Sequence, residues 1–469
     1  MPILGLVISF ICSTIDLDPV TSTQWITSVI GSIAVILGFA LALHMWRIHR
    51  PSVSTGIVLA FIGSFVFVTG CVWKETLGFV LLFLILFAFV KRSEPRYRLL
   101  MTIPLPFLVF THHHTTVVAF IILTFAIALD SIRSIRSRSI SKNTYADIVT
   151  IAGSWLLAAA YYNYVSLPYL DYLSPGTDLY LYLAVAVLML LTALWMSSRR
   201  ASMTKLPFGL IVPAIGLGLL VMNYYTPIFP GIPAPSALLI VPMAAYVILT
   251  APAWLGAKLA FSDIGPSKNL LLALIFGPLS LILFGFLRAN DATSHMIIYR
   301  TFDFLMPAFA ILIGLGFAYM VKGREKLGMA VAASFIIILA STLPIAYSSQ
   351  ELFGVQNQTY EFEYDAVEWF SENGVSSYTS DQRLGETGWR LFDIDYDRGL
   401  PYDLREGIAL NASSFYVLEG QWATKGAQEY PFGVVQIDMI IIDEILSTNS
   451  VLYLGGSTDN QLVLFSTGP

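Results

Sequence analysis

A succession of apolar runs, most of them near the length that crosses a bilayer, occupies the sequence up to residue 347. Hydrophobic residues make up 56% of the 469 positions and charged residues only 12%, which is far less charge than a soluble surface of this size needs. Measured against the roughly 20 residues of a spanning helix, about thirteen runs qualify as full or partial spans. They lie near residues 2–15, 25–46, 53–73, 76–90, 99–110, 117–129, 147–165, 179–198, 207–222, 234–257, 269–287, 304–320 and 327–347. The sequence therefore predicts an all-α polytopic membrane bundle over residues 1–347.

Lysine and arginine are divided unequally between the loops that connect these runs. One set of alternate loops holds eighteen of them, and the loops between hold only three, namely Lys74, Arg288 and Arg300. Because basic residues collect in cytoplasmic loops, the amino terminus is predicted inside and residues 348–469 outside a plasma membrane. The net charge of −5 has little meaning for a chain whose charges are segregated in this way. The expected environment is the lipid bilayer, and we expect no nucleic-acid partner.

Three consecutive histidines interrupt an apolar stretch in "THHHTTVVAF". They are His112, His113 and His114. Arg98 and Arg133 flank the stretch 99–130, and both belong to the cytoplasmic set, so the chain must enter the membrane and return. Each arm has about 12 or 13 residues, roughly 18–20 Å of helix, which is short for a hydrocarbon core of about 30 Å. The histidines are therefore predicted at the tip of a short hairpin, lining a cavity below the outer surface.

Charged groups of the outer loops are predicted to face the same cavity. They are Asp16, Asp18, Lys74, Glu75, Asp171, Asp178, Asp291, His295, Arg300 and Asp303. Carboxylates that deprotonate an acceptor, together with Lys, Arg or His that hold a departing phosphate, suit a transfer from a phosphate leaving group. Structural alternatives stay open: Lys74 and Glu75 as a snorkelling interfacial pair, and Arg300 with Asp303 as an i,i+3 ion pair. For the histidines, metal ligation by two of them, contact with a proton or phosphate, and a satisfied polar tip all remain open.

Residues 348–469 are predicted to form a separate extracytoplasmic α/β domain. The segment "YDAVEWFSENG" predicts a helix with Asp365 as its cap and Gly374 as its end. Strands are predicted for "SSYTSD", "SFYVLEG", "IDMIIID", "SVLYL" and "NQLVLF". A small mixed α/β fold is the expected result.

Three motifs, taken with the many-helix bundle and the α/β tail, resemble a known superfamily. "WKETLG", "THHHTT" and "YRTFDFLMPAFAILIGLG" resemble archaeal GT-C membrane glycosyltransferases, the relatives of dolichyl-phosphate-mannose protein mannosyltransferases. The resemblance implies a hexosyltransferase that moves a sugar from a polyprenyl-phosphate carrier to a glycan or protein acceptor outside the membrane. Our hypothetical catalytic residues are Asp16, Asp18, Glu75 and His113. Our hypothetical substrate-binding residues are Lys74, His112, His114, Arg300 and Asp303.

The sequence departs from that superfamily near its start. The family has a first helix followed by a long outer loop with the catalytic acidic motif, and no such loop precedes Asp16. Three explanations stay open: an amino-terminally shortened chain, an unusual role for Asp16 and Asp18, or a protein that does not catalyse. The cofactor is unknown; a divalent cation is the open candidate, and no metal ligands are assigned. The alternatives to an enzyme are a lipid-linked glycan flippase or other transporter, and a non-catalytic GT-C-like subunit.

Overall fold

The computed structural model describes most of the chain. The described ranges are 3–70, 74–136, 142–165, 176–198, 208–226, 237–262, 266–288, 292–322, 325–347, 359–411, 414–429, 433–457 and 460–467. The chain divides into two compact units. The first comprises Met1–Gly218 and Val241–Tyr347, and the second comprises Leu219–Ile240 and Ser348–Pro469.

Helices dominate the chain up to residue 347. They are α1 (Ile3–Ile15), α2 (Pro19–Trp46), α3 (His49–Phe61), α4 (Gly63–Gly70), α5 (Lys74–Val90), α6 (Pro95–Thr102), α7 (Pro104–Thr111), α8 (His113–Arg136), α9 (Lys142–Tyr164), α10 (Thr177–Ser198), α11 (Phe208–Tyr225), α12 (Ala237–Ser262), α13 (Pro266–Arg288), α14 (Ala292–Phe302), α15 (Met306–Met320) and α16 (Glu325–Ala340). Short 3-10 turns follow at Asp303–Leu305 and Leu343–Tyr347. Within the described residues, seven helical segments are long and apolar enough to cross a membrane, and the bent pair α3 and α4 could form an eighth span. The protein is thus a multi-pass membrane protein with the predicted helical bundle.

A bend of 66° separates α3 from α4. The backbone N–H of Gly63 donates to Thr342 Oγ1 at 2.9 Å, and that of Ser64 donates to Tyr246 Oη at 2.7 Å. These side chains satisfy amide groups that the break would otherwise leave unpaired. Irregular backbone inside a membrane is tolerated only where protein or water surrounds it. The bend therefore depends on its packing against segments that are distant in sequence.

The hairpin over residues 99–130 agrees with the prediction at its turn and differs in its second arm. The first arm is broken between α6 and α7, next to Pro104, whose ring cannot fit inside a regular helix. The second arm, α8, has 24 residues, about 36 Å of helix. The prediction of a half-length second arm is wrong because the helix continues past its apolar run, where Asp130 is paired with Arg92.

The tail contains a mixed five-stranded sheet of order β2-β1-β3-β7-β6, with β4 and β5 as a separate pair. The strands are β1 (Ser377–Thr379), β2 (Asp395–Asp397), β3 (Phe415–Glu419), β4 (Ala427–Glu429), β5 (Gly433–Val435), β6 (Ser450–Ser457) and β7 (Asn460–Ser466). Parallel pairing joins β1 to β2 and β3, and antiparallel pairing joins β7 to β3 and β6. The helices are α17 (Glu361–Glu372), α18 (Gln382–Phe392), α19 (Leu400–Glu406) and α20 (Met439–Thr448). This is the α/β fold that the sequence predicted.

Helix α17 ends as predicted but begins earlier. Gly374 follows it with a φ of 76°, a conformation that glycine adopts without strain. At the start, the Glu363 side chain accepts the N–H of Tyr360 at 2.7 Å. The cap is therefore a capping box at Tyr360, and the prediction of Asp365 as the cap is wrong.

The last five residues of the segment "IDMIIID" begin helix α20 at Met439, so the prediction of a strand there is wrong. Asp438 caps the helix by accepting the N–H of Ile440 at 3.0 Å. Ile442 and Ile445 are buried, and this three-residue spacing belongs to one face of a helix. A run of β-branched residues has high strand propensity, and here burial of one helical face together with the cap outweighs it.

A buried charge cluster lies in the core of the tail. Arg383 pairs with Glu363 and, at 2.6 Å, with Glu419, and Asp381 lies 4.0 Å from the same guanidinium. Three carboxyl groups thus surround one cation in a site almost closed to solvent. Burial raises the pKa of Glu419 to about 7, with the charge of Glu363 acting in the same direction against that of Arg383.

Candidate functional site

Glu75 lies in the first turn of α5, where the helix dipole favours a negative charge. Its side chain is 18% exposed, so the carboxylate is partly buried and still reachable from one side. Its described contacts come from the turn between α7 and α8 and from α14. Segments far apart in the sequence therefore meet at this one carboxylate.

His112 occupies the turn of the hairpin in an extended conformation, with φ of −157° and ψ of 119°. Its Nδ1 accepts the backbone N–H of Thr115 at 3.3 Å and lies 2.9 Å from Thr115 Oγ1. The imidazole thus caps the first turn of α8, where backbone N–H groups lack helical partners. Because Nδ1 accepts, the proton is assigned to Nε2, which donates to Glu75 Oε1 at 3.1 Å. The local fold therefore selects the tautomer that points an N–H at the carboxylate.

Arg300 approaches the same oxygen from α14. Its Nη1 lies 3.4 Å from Glu75 Oε1, and its side chain is 38% exposed. Because a guanidinium has five N–H donors, this contact leaves donors for a ligand. We call Glu75, His112, Thr115 and Arg300 the Glu75 cluster. Among the ion pairs that the structure describes, the partner of Arg300 is Glu75.

The other two histidines of the motif lie in different surroundings. The ring of His113 is 4.8 Å from that of His112, and its side chain is only partly buried. His114 lies with Nε2 3.2 Å from Thr301 Oγ1. Because that hydroxyl donates to the carbonyl of Ile297, it accepts the His114 N–H. His114 therefore attaches α8 to α14, and His113 is the one beside the Glu75 cluster.

Lys74 and Asp303 are close in sequence to members of the Glu75 cluster. Lys74 precedes Glu75, and Asp303 follows Arg300 by three residues. Lys74 is the first residue of α5, and its side chain is exposed. Asp303 begins the 3-10 turn between α14 and α15 and is partly buried. Phe304, next to it, stacks on Phe79 of α5 with ring centroids 4.7 Å apart, so aromatic packing holds this turn against the start of α5.

Asp16 and Asp18 lie in the turn after α1, and both side chains are exposed. Leu17, between them, packs with Leu77 against the same small apolar cluster, which places this turn at the end of the bundle where α5 begins. The contacts that the structure describes for Glu75 are with His112 and Arg300. Within the described part of the chain, no three His, Cys, Asp or Glu side chains converge as metal ligands.

Asp178, another of the residues predicted to face the outer cavity, forms an ion pair with Arg288. It accepts from Arg288 Nε at 3.0 Å, and both side chains are nearly buried. Asp171, Asp291 and the side chain of His295 lie outside the described residues. Thr115 and Thr301, which contact His112 and His114, were not among the predicted site residues. The two threonines that follow the histidines in "THHHTT" were the available signal for a side-chain cap at this turn.

Comparison with known proteins yields structural likeness without sequence likeness. No family model matches the sequence, and no curated protein matches it. The apo crystal structure of the Archaeoglobus fulgidus oligosaccharyltransferase resembles this chain with a TM-score of 0.50 at 12% identity, covering 99% of this chain and 66% of that one. The archaeal oligosaccharyltransferase AglB from Archaeoglobus fulgidus, in complex with an inhibitory peptide and a dolichol-phosphate, gives a TM-score of 0.48 at 14% identity with the same coverage. The chain thus spans just under two thirds of the length of these neighbours, and what the apo structure shares with it is the overall fold.

Proposed function

We propose that this protein is a membrane glycosyltransferase that moves a sugar from a polyprenyl-phosphate carrier to a glycan or protein acceptor on the outer face of the membrane. The observation that carries the proposal is the Glu75 cluster, where an oriented imidazole N–H and a guanidinium meet one oxygen of a partly exposed carboxylate. A fold shared with an archaeal oligosaccharyltransferase supports the same class of reaction. The identity of the sugar and of the acceptor lies beyond this proposal.

Glu75 is the proposed general base. His112 and Arg300 both contact Oε1, so Oε2 is the atom that takes the proton of the acceptor as its nucleophile attacks the anomeric carbon. The bond from that carbon to the phosphate oxygen breaks, and negative charge grows on the departing polyprenyl phosphate. The unused donors of Arg300 stabilise that charge, and His113, whose ring lies 4.8 Å from that of His112, is proposed to assist them.

The remaining substrate-binding and catalytic hypotheses concern the rim of this site. Lys74 is exposed at the start of α5, where a flexible ammonium can reach a lipid phosphate. Asp303 and the pair Asp16 and Asp18 stay candidates for contact with the sugar or acceptor. His114 is proposed to keep α14, and hence Arg300, against α8 rather than to touch the substrate.

The proposed orientation places the amino terminus in the cytoplasm and residues 348–469 outside the cell. Eighteen basic residues against three in alternate loops support it. Single cysteines introduced at exposed positions such as Glu94 and Glu372, each in a chain without Cys12 and Cys71, should react with an impermeant thiol reagent only for the tail position in intact cells. Labelling of the cysteine at position 94 alone would contradict the proposed orientation and indicate the opposite one.

The test of function is transfer of radiolabelled sugar from polyprenyl-phosphate donors by the purified full chain. Glu75→Gln keeps the shape and removes the base, and it should lower transfer by about 10²–10⁴-fold. Glu94→Gln is the matched control, because Glu94 is an exposed carboxylate whose described ion pair is with Arg96. Equal activity of the two variants would contradict the role of Glu75.

A second outcome separates an enzyme from the alternatives. If the wild-type chain transfers no sugar from any donor but binds the carrier, and if Arg300→Gln abolishes that binding, the enzyme proposal fails. A flippase or a non-catalytic subunit would then be the better description. Carrier transport into sealed vesicles would distinguish these two.

A further inference from the structure

Strand β6 forms one edge of the five-stranded sheet in the tail. Within the described residues it pairs with β7 alone. The strand at the opposite edge, β2, has three residues, and two of them are exposed aspartates. A short, charged edge discourages pairing with a further strand. Strand β6 has eight residues, "SVLYLGGS", and contains neither a charge nor a proline. One edge of the sheet is thus protected, and the other has the features of an edge that accepts a strand.

The two faces of β6 have different surroundings. Tyr453 packs against α17, with its ring 5.0 Å from that of Trp369. Leu454 points to the opposite face, because successive residues of a strand alternate, and it is 61% exposed. The register with β7 shifts between Val451 and Tyr453 and is regular from there to Ser457. This regular stretch suits backbone pairing with an incoming extended peptide.

Helix α17, beside this edge, has an acidic outer face. It is formed by four exposed carboxylates, namely Glu361, Asp365, Glu368 and Glu372. Their spacing of i, i+4, i+7 and i+11 places them on one side of the helix. The ion pair that the structure describes for α17 belongs to the buried Glu363. Burial and the charge of Asp365 raise the pKa of the Tyr453 phenol, so this carboxylate lies near the β6 edge.

The charge of the tail indicates what binds at this edge. Residues 348–469 contain nineteen acidic and five basic residues, so a second copy of the tail would bring like charge to the edge. A basic partner is attracted to it instead. We propose that β6 binds an extended basic segment of another protein, which pairs with the strand through its backbone and places lysine or arginine side chains on the side of α17. Apolar side chains of the same segment alternate with the basic ones and lie on the side of Leu454.

The test is fluorescence anisotropy of the purified full chain with labelled eight-residue peptides, which match β6 in length. The first peptide alternates lysine with valine, and the second has glutamate in place of lysine. Two further peptides keep the lysine and valine sequence and carry backbone N-methyl groups, on every valine in one and on every lysine in the other. Because the N–H groups of successive strand residues point to opposite edges, one of these two peptides loses the N–H groups that face β6.

The lysine peptide should bind, and the glutamate peptide should not. One N-methylated form should bind about tenfold more weakly than the unmethylated peptide, and the other should bind about as well. Asp365→Asn combined with Glu368→Gln should weaken binding of the lysine peptide by about three- to tenfold. Added salt should weaken it as well, because exposed charges are screened.

The matched control is Asp443→Asn, which removes an exposed carboxylate from α20. Ile442 of α20 packs in one apolar cluster with Phe465 of β7. Phe370 of α17 packs in another cluster with Leu464, the neighbour of Phe465. The two helices therefore cover opposite faces of the sheet, and Asp443→Asn should leave binding of the lysine peptide unchanged.

Three outcomes overturn the proposal. Equal binding of the lysine and glutamate peptides removes the role of charge, as does an equal effect of the Asp443 variant and the double variant of α17. Equal binding of the two N-methylated forms removes the role of strand pairing. If the chain binds no peptide but forms dimers that Leu454→Lys dissociates at an unchanged melting temperature, the edge binds a second copy of the chain.

Discussion

Replacing Gly78 by alanine should disturb the Glu75 cluster without changing a charged group. A Cβ at Gly78 would lie 2.9 Å from Thr115 Oγ1, 3.1 Å from its Cγ2 and 3.2 Å from its Cβ. Thr115 is fully buried, and its backbone N–H and hydroxyl both face His112 Nδ1. The added methyl group must therefore displace the group that selects the tautomer of His112.

The expected effect on stability is small, because two contributions oppose each other. Alanine gains about 1 kcal/mol over glycine inside a helix, and overpacking a buried contact costs about 1–3 kcal/mol. The free energy of unfolding should thus fall by about 0–2 kcal/mol. Sugar transfer should fall further, by about 10–100-fold, because misplacement of an oriented group by a fraction of an ångström to 1 Å has effects of this size.

The assay compares transfer rate with thermal unfolding in detergent for Gly78→Ala and for Gly153→Ala. Gly153 lies within α9, and an added Cβ there meets nothing within 4 Å, so the control should keep its activity and its melting temperature. Thr115→Ser in the Gly78→Ala background removes Cγ2 and should restore part of the activity. Equal transfer by Gly78→Ala and Gly153→Ala would refute the role assigned to the Thr115 contact.

Further predictions concern the tail core and a helix crossing. The folded tail keeps a proton on Glu419 that the unfolded chain releases. The free energy of unfolding should therefore fall as pH rises from about 4.5 past 7, by on the order of 1–3 kcal/mol. Glu419→Gln should remove most of the difference between the melting temperatures at pH 5 and pH 8. Arg383→Met leaves buried carboxylates without their cation and should cost about 3–5 kcal/mol, seen as a lower urea midpoint and faster proteolysis of the tail. Gly316→Ala would place a Cβ 1.9 Å from the carbonyl oxygen of Pro252, and it should reduce the yield of monodisperse protein, whereas Gly153→Ala should not.

The membership of the candidate site is partly predictable from sequence. Alternation of basic loops places the starts of α5 and α8 and the whole of α14 at one face of the membrane, so Glu75, His112 and Arg300 are expected near one another. The choice between Lys74 and Glu75 is not predictable in this way. Adjacent helical residues point about 100° apart, and only the rotation of α5 against α8 decides that Glu75 faces the turn while Lys74 is exposed.

The apolar lengths, the segregation of basic residues and the change of composition near residue 348 determine a multi-pass bundle followed by an α/β tail, because these are properties of the chain read along one dimension. The tertiary structure alone decides which atoms meet: the ring of His112 capping α8, Asp130 and Asp147 sharing Arg92, and "IDMIIID" folding as a helix. Each of these depends on the packing of one segment against segments remote in sequence. That packing fixes the rotation and the burial of each helix. Neither can be calculated from local propensity or hydropathy.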